Sequence, residues 1–152
     1  MNNLKIDGLV EIEVRYTIKK VRTKSLDVAG LIDNKSNPSK FEVSVPIKSF
    51  QSNDPVFDEH LQEACQFGLY PSAIGRGSID QNIFKQKDFS IPVQIEFHGV
   101  TREYMMNFKE YGKVALFNLN LDSHHLKRPS LLGIKINNEV KIQFQLSWPR
   151  KI

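Results

Sequence analysis

The 152-residue chain lacks the features that mark disulfide-stabilised, cysteine-metal and membrane-spanning proteins. Cys65 is its only cysteine, which excludes an intrachain disulfide and a cysteine metal cluster. No apolar run approaches the roughly 20 residues that a membrane-spanning helix needs. The first residues, MNNLKIDG, have no apolar core and do not form a signal peptide. The sequence leaves two compartments open: a cytoplasmic location if the chain is complete, and export if a leader was removed.

Neither sign of charge dominates, since 21 Lys and Arg residues stand against 17 Asp and Glu residues, for a net charge of +4. This balance leaves nucleic acid and acidic membrane surfaces open as partners. The basic residues are spread along the chain, with one dense cluster, KKVRTK, at residues 19–24. We interpret this cluster as the solvated rim of a hairpin, with contact to phosphates or lipid headgroups as the alternative.

Alternation of apolar and polar residues is the dominant pattern of the sequence. From Phe89 to Phe97 every second residue is large and apolar, and only a period of two places all five on one face. Gly99 ends this run, and a second alternating stretch begins at Thr101. The pattern predicts an antiparallel hairpin with one apolar and one polar face. Pro92 has no ladder donor, so it favours an edge-like or bulged position.

The same alternation predicts about eight strands in all. They fall at residues 9–18, 26–31, 40–47, 82–97, 101–109, 113–121, 131–136 and 139–148. Asn137-Asn138 is suited to a two-residue turn between the last two strands, because asparagine tolerates positive φ. Tyr70-Pro71 opens a further extended segment, in which Ala73, Gly75 and Gly77 indicate tight curvature or the close approach of another backbone.

One helix interrupts the strands, over residues 55–66. Asp54 is a suitable N-cap, Pro55 suits the first helical position, and Gly68 is a natural stop. Phe57, Leu61, Ala64 and Cys65 share one face. We expect this helix to lie across one end of the β structure.

Together these elements predict an all-β protein in a single domain, residues 1–152, with one short helix. One-sided strands in this number form either a closed barrel or a two-sheet sandwich. A barrel of about eight strands either fills with side chains or holds one small ligand.

The order of several motifs resembles the YceI-like family, over roughly residues 26–146. These motifs are Pro46-Ile47 followed by Ser49-Phe50, Asp58 with His60-Leu61, Tyr70-Pro71, Gly99-Val100-Thr101-Arg102, and the stretch KRPSLLGIKINNEVKIQFQL. The resemblance implies a lipocalin-like, extended antiparallel β-barrel with an elongated apolar cavity. It also implies a bacterial protein that binds a polyisoprenoid or long acyl chain, and a periplasmic location if a leader was removed.

Catalytic and metal-binding candidates are few. His124-His125 is the sharpest, but adjacent strand residues point to opposite faces, and further ligands such as Asp122 or His60 would have to join them. Cys65 and His60, five residues apart on a helix, lie about 140° apart around its axis. We therefore interpret Cys65 as a small buried hydrophobe and the histidines as loop residues. Residues 75–78, GRGS, lack the pattern of a dinucleotide or phosphate loop.

The remaining candidates lie on the predicted apolar face. Seven of them are predicted to contact a ligand: Tyr16, Phe41, Phe89, Phe97, Met106, Phe117 and Phe144. Ordinary core packing is the alternative for each. Tyr104 and Tyr111 are candidates for hydrogen bonds at the cavity mouth. Because the aromatics follow the apolar face, they do not form a stacking platform for nucleic acid.

We therefore predict a binding protein without cofactor or metal that holds a polyisoprenoid, isoprenoid quinone or fatty acyl chain for transport, storage or sequestration. The alternative is a small-molecule hydrolase that uses His124/His125 or Cys65. A hydrophobic small-molecule ligand is the expected partner, nucleic acid is not, and a transient membrane-surface contact and a homodimer remain open.

Overall fold

A computed structural model of the chain describes residues 3–16, 19–33, 35–128, 130–131 and 134–149. In chain order the strands are β1 (Asn3–Arg15), β2 (Lys20–Asp33), β3 (Ser39–Pro46), β4 (Ser72–Ile79), β5 (Phe89–Phe97), β6 (Val100–Lys109), β7 (Val114–Asn120), β8 (Ser130–Leu131), β9 (Ile134–Lys135) and β10 (Glu139–Ser147). The helices are α1 (Pro55–Ala64) and α2 (Gln81–Phe84), with 3-10 turns at Ile47–Ser49 and Asp122–His124.

Eight of the strands close into an antiparallel barrel in the order β1-β10-β7-β6-β5-β4-β3-β2. The predicted all-β barrel is thereby confirmed. Five of the eight ladders are long, with seven to twelve residue pairs each. The other three are short: β2–β3 has four pairs, and β4–β5 and β6–β7 have three each. We call these the three short ladders.

The alternation seen in the sequence matches the two faces of the barrel wall. Along β5 the odd-numbered residues from Phe89 to Phe97 are buried, while Ser90, Pro92 and Gln94 are exposed. The β5–β6 hairpin turns at His98 (φ 55°) and Gly99 (φ 73°). Two consecutive positive φ values suit the right-handed twist of paired strands, so the predicted hairpin is confirmed.

Pro92 lies where the ladder between β4 and β5 has ended. This ladder covers only Ile74–Arg76 and Gln94–Glu96, and Pro92 precedes its β5 segment by two residues. Pro92 pairs with Met105 of β6 but has no partner on β4, so its position is edge-like on the β4 side of the strand only.

Two strands extend beyond their predicted bounds. β1 begins at Asn3 rather than Leu9, and residues 17 and 18 of the predicted strand lie outside the described residues. β2 runs from Lys20, and a register shift between Gly8 and Val10 of β1 turns its Leu26 outward. Residues 72–79, predicted only as an extended segment, form β4.

The predicted strand over residues 82–97 is wrong before Phe89. Residues 81–84 form α2, and the side chain of Asp80 accepts a hydrogen bond from the N–H of Asn82 at 2.7 Å. Phe84 then packs against Phe89 and Trp148, so its burial comes from a helical turn rather than a strand.

The predicted strand over residues 131–136 and its turn at Asn137-Asn138 are also wrong. β8 and β9 form a separate two-stranded sheet, and residues 132 and 133 lie outside the described residues. β10 pairs with β1 and β7 instead. The carbonyl of Asn138 accepts from the N–H of Leu121, and the N–H of Asn137 donates to the carbonyl of Arg15.

The predicted helix is confirmed as α1. The Asp54 side chain accepts hydrogen bonds from the N–H groups of Val56 and Phe57, both at 3.1 Å, and Pro55 occupies the first turn. Because Phe57 packs edge-on against Tyr16 at the end of β1, the helix lies across one end of the barrel. Among the described residues no helix is long and apolar enough to cross a membrane.

Candidate functional site: an apolar cavity in the barrel

The barrel encloses an apolar cavity of about 120 Å³. Strands β1, β3, β4, β5, β6, β7 and β10 all contribute residues to it, α1 contributes Leu61 and Gln62, and Cys65 lines it directly after α1. Gln62 is the only one of the 28 described lining residues whose side chain carries oxygen or nitrogen. The interior can therefore accept an apolar group but offers almost no hydrogen bonds to it.

An aromatic cluster closes the end of the barrel opposite α1, which we call the aromatic end. Trp148 is its centre: the indole N–H donates to the carbonyl of Gly112 at 2.7 Å, and Phe41 and Phe84 meet its ring edge-on. Gly77 allows this arrangement, because a Cβ there would lie 2.7 Å from the Phe41 ring. The group that approaches this glycine is therefore an aromatic side chain and not the predicted backbone.

The end covered by α1, which we call the helix end, is held by side-chain hydrogen bonds and ring contacts. Asp58 of α1 accepts hydrogen bonds from the backbone N–H and the hydroxyl of Ser52, at 3.0 and 2.6 Å. Tyr70 lies on the β5–β6 turn, where a Cβ on Gly99 would approach its ring to 2.6 Å. Motif residues that carry the family resemblance therefore meet here, where they fix α1 over the cavity.

Five of the seven predicted ligand-contact residues line the cavity: Phe41, Phe97, Met106, Phe117 and Phe144. Tyr16 and Phe89 do not. Tyr16 is buried against Phe57 at the helix end, and Phe89 stacks on Phe108 at a centroid distance of 5.0 Å within the aromatic cluster. Both have the predicted inward orientation but lie beyond the two ends of the open space.

Sequence reasoning missed the aliphatic part of the lining. Val10, Val43, Ile95, Leu119 and Ile142 face the cavity together with the aromatic residues. The same period-two alternation marks them, so the signal was present. The prediction selected aromatic residues and one methionine and therefore omitted these aliphatic residues.

Half-buried Tyr104 and fully buried His124 form a hydrogen-bonded pair beside the cavity. The hydroxyl of Tyr104 accepts from the N–H of Asn120 at 3.2 Å and lies 2.8 Å from Nε2 of His124. Nδ1 of His124 lies within 3.1 Å of the carbonyls of Phe97 and Val100. Carbonyls only accept, so Nδ1 carries the proton and Nε2 accepts from Tyr104. Tyr104 thus hydrogen-bonds inside the wall, while Tyr111, the other mouth candidate, is exposed.

Burial lowers the pKa of His124 below its usual value, although the two carbonyl hydrogen bonds oppose this effect. In the unfolded chain a histidine titrates near pH 6.5. Below about that pH the unfolded state binds more protons than the folded state, so stability falls as the pH falls. The contribution of neutral His124 to folding stability is therefore fully present above about pH 6.5.

The other candidates for reactive groups do not lie together in one site. Cys65 lines the cavity, where burial raises the pKa of its thiol to about 12. His60 and His125 instead line an outer polar cleft of about 530 Å³, which has these described lining residues: His60, Glu63, Ala64, Gln66, His98, His125, Lys127 and Arg128. Among the residues that the structure describes, no three His, Cys, Asp or Glu side chains are placed to hold a metal ion.

A family model described as the YceI-like domain matches residues 6–148 of the chain. A polyisoprenoid binding domain from Saccharophagus degradans, implicated in plant cell wall breakdown, has a similar structure, with a TM-score of 0.72, 13% identity and coverage of 96% of this chain and 97% of that one. BcnA from Burkholderia cenocepacia gives a TM-score of 0.71, 11% identity and 91% and 94% coverage.

The YCEI protein of Campylobacter jejuni is also similar, with a TM-score of 0.56, 16% identity and 84% and 86% coverage. No curated protein sequence matches the chain. At such low identities the structural similarities show the fold, namely the extended antiparallel barrel.

Proposed function

Because the chain belongs to the YceI-like domain family, we propose that it binds a long apolar chain inside the barrel and catalyses no reaction on it. The observation that carries this proposal is the cavity lining, in which Gln62 alone has a polar side chain among the described residues. A polyisoprenoid, an isoprenoid quinone or a fatty acyl chain fits such a lining. The structurally similar polyisoprenoid binding domain of S. degradans supports the first of these.

The cavity is too small to hold a long chain unless the side chains that line it rearrange. A cavity of about 150 Å³ lined by aliphatic and aromatic side chains holds one benzene molecule. At about 120 Å³, the resting cavity has room for one group of that size. A longer chain therefore has to displace side chains along the barrel axis, and Met106, with its unbranched and flexible side chain, is well suited to move.

Burial of a long chain is the main source of binding free energy. Each buried methylene contributes about 0.8 kcal/mol, so ten contribute about 8 kcal/mol and twenty about 16 kcal/mol, against an association cost of roughly 4–15 kcal/mol. No charged anchor is needed inside the barrel. Binding of this kind serves transport, storage or sequestration of the chain.

The placement of the reactive groups supports binding over hydrolysis. His124 is buried, and both of its ring nitrogens have hydrogen-bond partners in the wall. Cys65, with its raised pKa, stays a thiol at neutral pH and does not act as a nucleophile. Neither group offers an activated nucleophile to a substrate in the cavity.

The test is organic extraction of the purified protein followed by mass spectrometry. We expect a long-chain lipid in near-stoichiometric amount. A parallel titration uses a naphthylamine fluorescent probe of apolar sites, which a long-chain isoprenol should displace from delipidated protein. Absence of both an extracted lipid and probe displacement would overturn the proposal.

A further inference from the structure

We propose that the outer face of β1, β2 and β10 at the helix end is a docking surface for an anionic lipid bilayer. We call this surface the basic face, and its cationic residues are Arg15, Lys19, Lys20, Arg22, Lys24 and Lys141. Docking itself does not depend on the cavity. Its use for collecting or delivering a chain rests on the proposed function.

The strand register brings these side chains together. Arg15 faces Lys20 across the β1–β2 ladder, while Glu13 faces Arg22 on one side and Lys141 on the other. These contacts place residues distant in sequence on one continuous outward surface. The short cluster at residues 19–24, read from the sequence alone as a hairpin rim, is therefore only part of a larger basic surface.

The basic face carries an excess of positive charge. Its six bases stand beside three acids of β1 and β10, Glu11, Glu13 and Glu139, which leaves an excess of three. Two further acids, Asp27 and Asp54, neighbour Leu26 and Val56. Both arginines pair with Glu13, at 3.3 Å for Arg15 and 3.5 Å for Arg22. Among the described residues the four lysines of the face make no ion pair, so they remain available to phosphates.

The pKa of Glu13 reflects this surrounding charge. Burial raises that pKa, but the hydrogen bond from Arg15 and the charges of Lys20 and Lys141 outweigh burial and hold it below its usual value. A carboxylate in the middle of the basic face thus stays ionised, and the excess of positive charge persists around it.

Exposed aliphatic side chains adjoin the lysines. Leu26, two residues beyond Lys24 on β2, is 70% exposed, and Val56 in the first turn of α1 is 57% exposed. Backbone hydrogen bonds between Lys24 and Gln51, at 3.0 and 2.9 Å, join β2 to the segment that leads into α1. The lysines and the two apolar side chains therefore lie at the same end of the barrel as α1.

This combination fits a bilayer better than a nucleic acid. Lysines near an anionic bilayer gain from its surface potential, and aliphatic side chains can enter the boundary between headgroups and acyl chains. Single-stranded nucleic acid is bound with exposed aromatic rings for base stacking. The exposed large apolar residues at this face, Leu26 and Val56, are both aliphatic.

The experiment is co-sedimentation with vesicles of phosphatidylcholine, with and without phosphatidylglycerol, at about 0.1 M salt. The test variant replaces three lysines of the basic face: Lys20→Gln, Lys24→Gln and Lys141→Gln. Each lysine near an anionic surface contributes roughly fivefold, so vesicle affinity should fall on the order of 100-fold. Vesicles of phosphatidylcholine alone should bind the wild-type protein far more weakly.

The matched control removes the same charge at the aromatic end: Lys85→Gln, Lys87→Gln and Lys109→Gln, all exposed in the wild-type protein. The nine residues of β5 span about 30 Å, roughly three Debye lengths at 0.1 M salt. The control should therefore bind anionic vesicles nearly as the wild type does. An equal loss in both variants would overturn the docking surface, because it would reflect net charge alone.

Two further measurements complete the test. Leu26→Ser should weaken vesicle binding severalfold, and unchanged binding would contradict insertion of the Leu26 side chain into the bilayer. Tighter binding of the wild type to short duplex DNA than to anionic vesicles would overturn the bilayer in favour of a nucleic acid. Lipid extraction from the same variants should show an unchanged cavity ligand. The docking surface and the proposed function are therefore tested by separate measurements.

Discussion

Met106→Trp tests whether the interior is a binding cavity or a filled core. Met106 lies on β6, is 5% exposed and lines the cavity. It pairs with Ile91 of β5 but lies one residue outside the short β6–β7 ladder, which starts at Asn107. A larger side chain therefore has open space in front of it and, on the β7 side, a backbone without ladder pairing.

A filled core and an open cavity predict different losses of folding stability for Met106→Trp. Overpacking of a filled core costs about 1–3 kcal/mol. Next to a cavity of 120 Å³ the indole can enter the open space, so we expect a cost near or below about 1 kcal/mol. For a chain of this size that corresponds to a fall in melting temperature of about 2–4 °C. Exclusion of four or five methylenes removes about 3–4 kcal/mol of binding free energy.

The assay compares lipid extraction and thermal melting of Met106→Trp with those of Met105→Trp. Met105 is the outward neighbour and is 60% exposed, so it offers a matched indole on the other side of the wall. We expect loss of bound lipid in the first variant and full retention in the second. A Met106→Trp protein that keeps its lipid, or that unfolds many degrees earlier, would refute a cavity at this position.

Three further predictions concern stability. Tyr104→Phe should cost about 1–3 kcal/mol in chemical denaturation, because it leaves the N–H of Asn120 and Nε2 of His124 without their partner, whereas Tyr111→Phe should be neutral. The melting temperature should decrease as the pH falls below about 6.5. His124→Gln should flatten this dependence of the melting temperature on pH, and the control His125→Gln should not. If the dependence is unaltered in His124→Gln, it arises from groups other than His124. Chelation should leave the melting temperature unchanged, and a large drop would reveal a metal requirement.

Local chemistry made the barrel wall and α1 predictable from the sequence. Along β5 the alternation from Phe89 to Phe97 fixes which side of the wall each residue faces. The cap at Asp54 and the proline at position 55 fix where α1 begins. Both signals act within a few residues, so no tertiary information is needed to read them.

The errors arose where distant contacts decide the local structure. Residues 81–84 form a single helical turn, too short to show a period, and Phe84 is held by Trp148 from the other end of the chain. Asn138 is suited to a turn, but its carbonyl and side chain accept from the N–H groups of Leu121 and Asp122, so it belongs to a loop junction.

The candidate site was predictable in orientation but not in extent. Alternation identifies Phe89 and Phe97 alike as inward residues, yet one lies in the aromatic cluster and the other faces open space. The difference depends on which rings meet when the barrel closes. That contact set depends on register around the whole circumference, which sequence spacing does not encode.

The three short ladders give the barrel a variable circumference. They separate three blocks of fully paired strands, β7-β10-β1-β2, β3-β4 and β5-β6, joined to one another by three or four residue pairs. Each ladder hydrogen bond contributes only about 0.5–1.5 kcal/mol net, so the blocks can separate slightly at these joints while their internal pairing stays intact. We expect the barrel to widen at these joints when an apolar ligand enters, and backbone amides at the joints should exchange with solvent faster than those within the blocks.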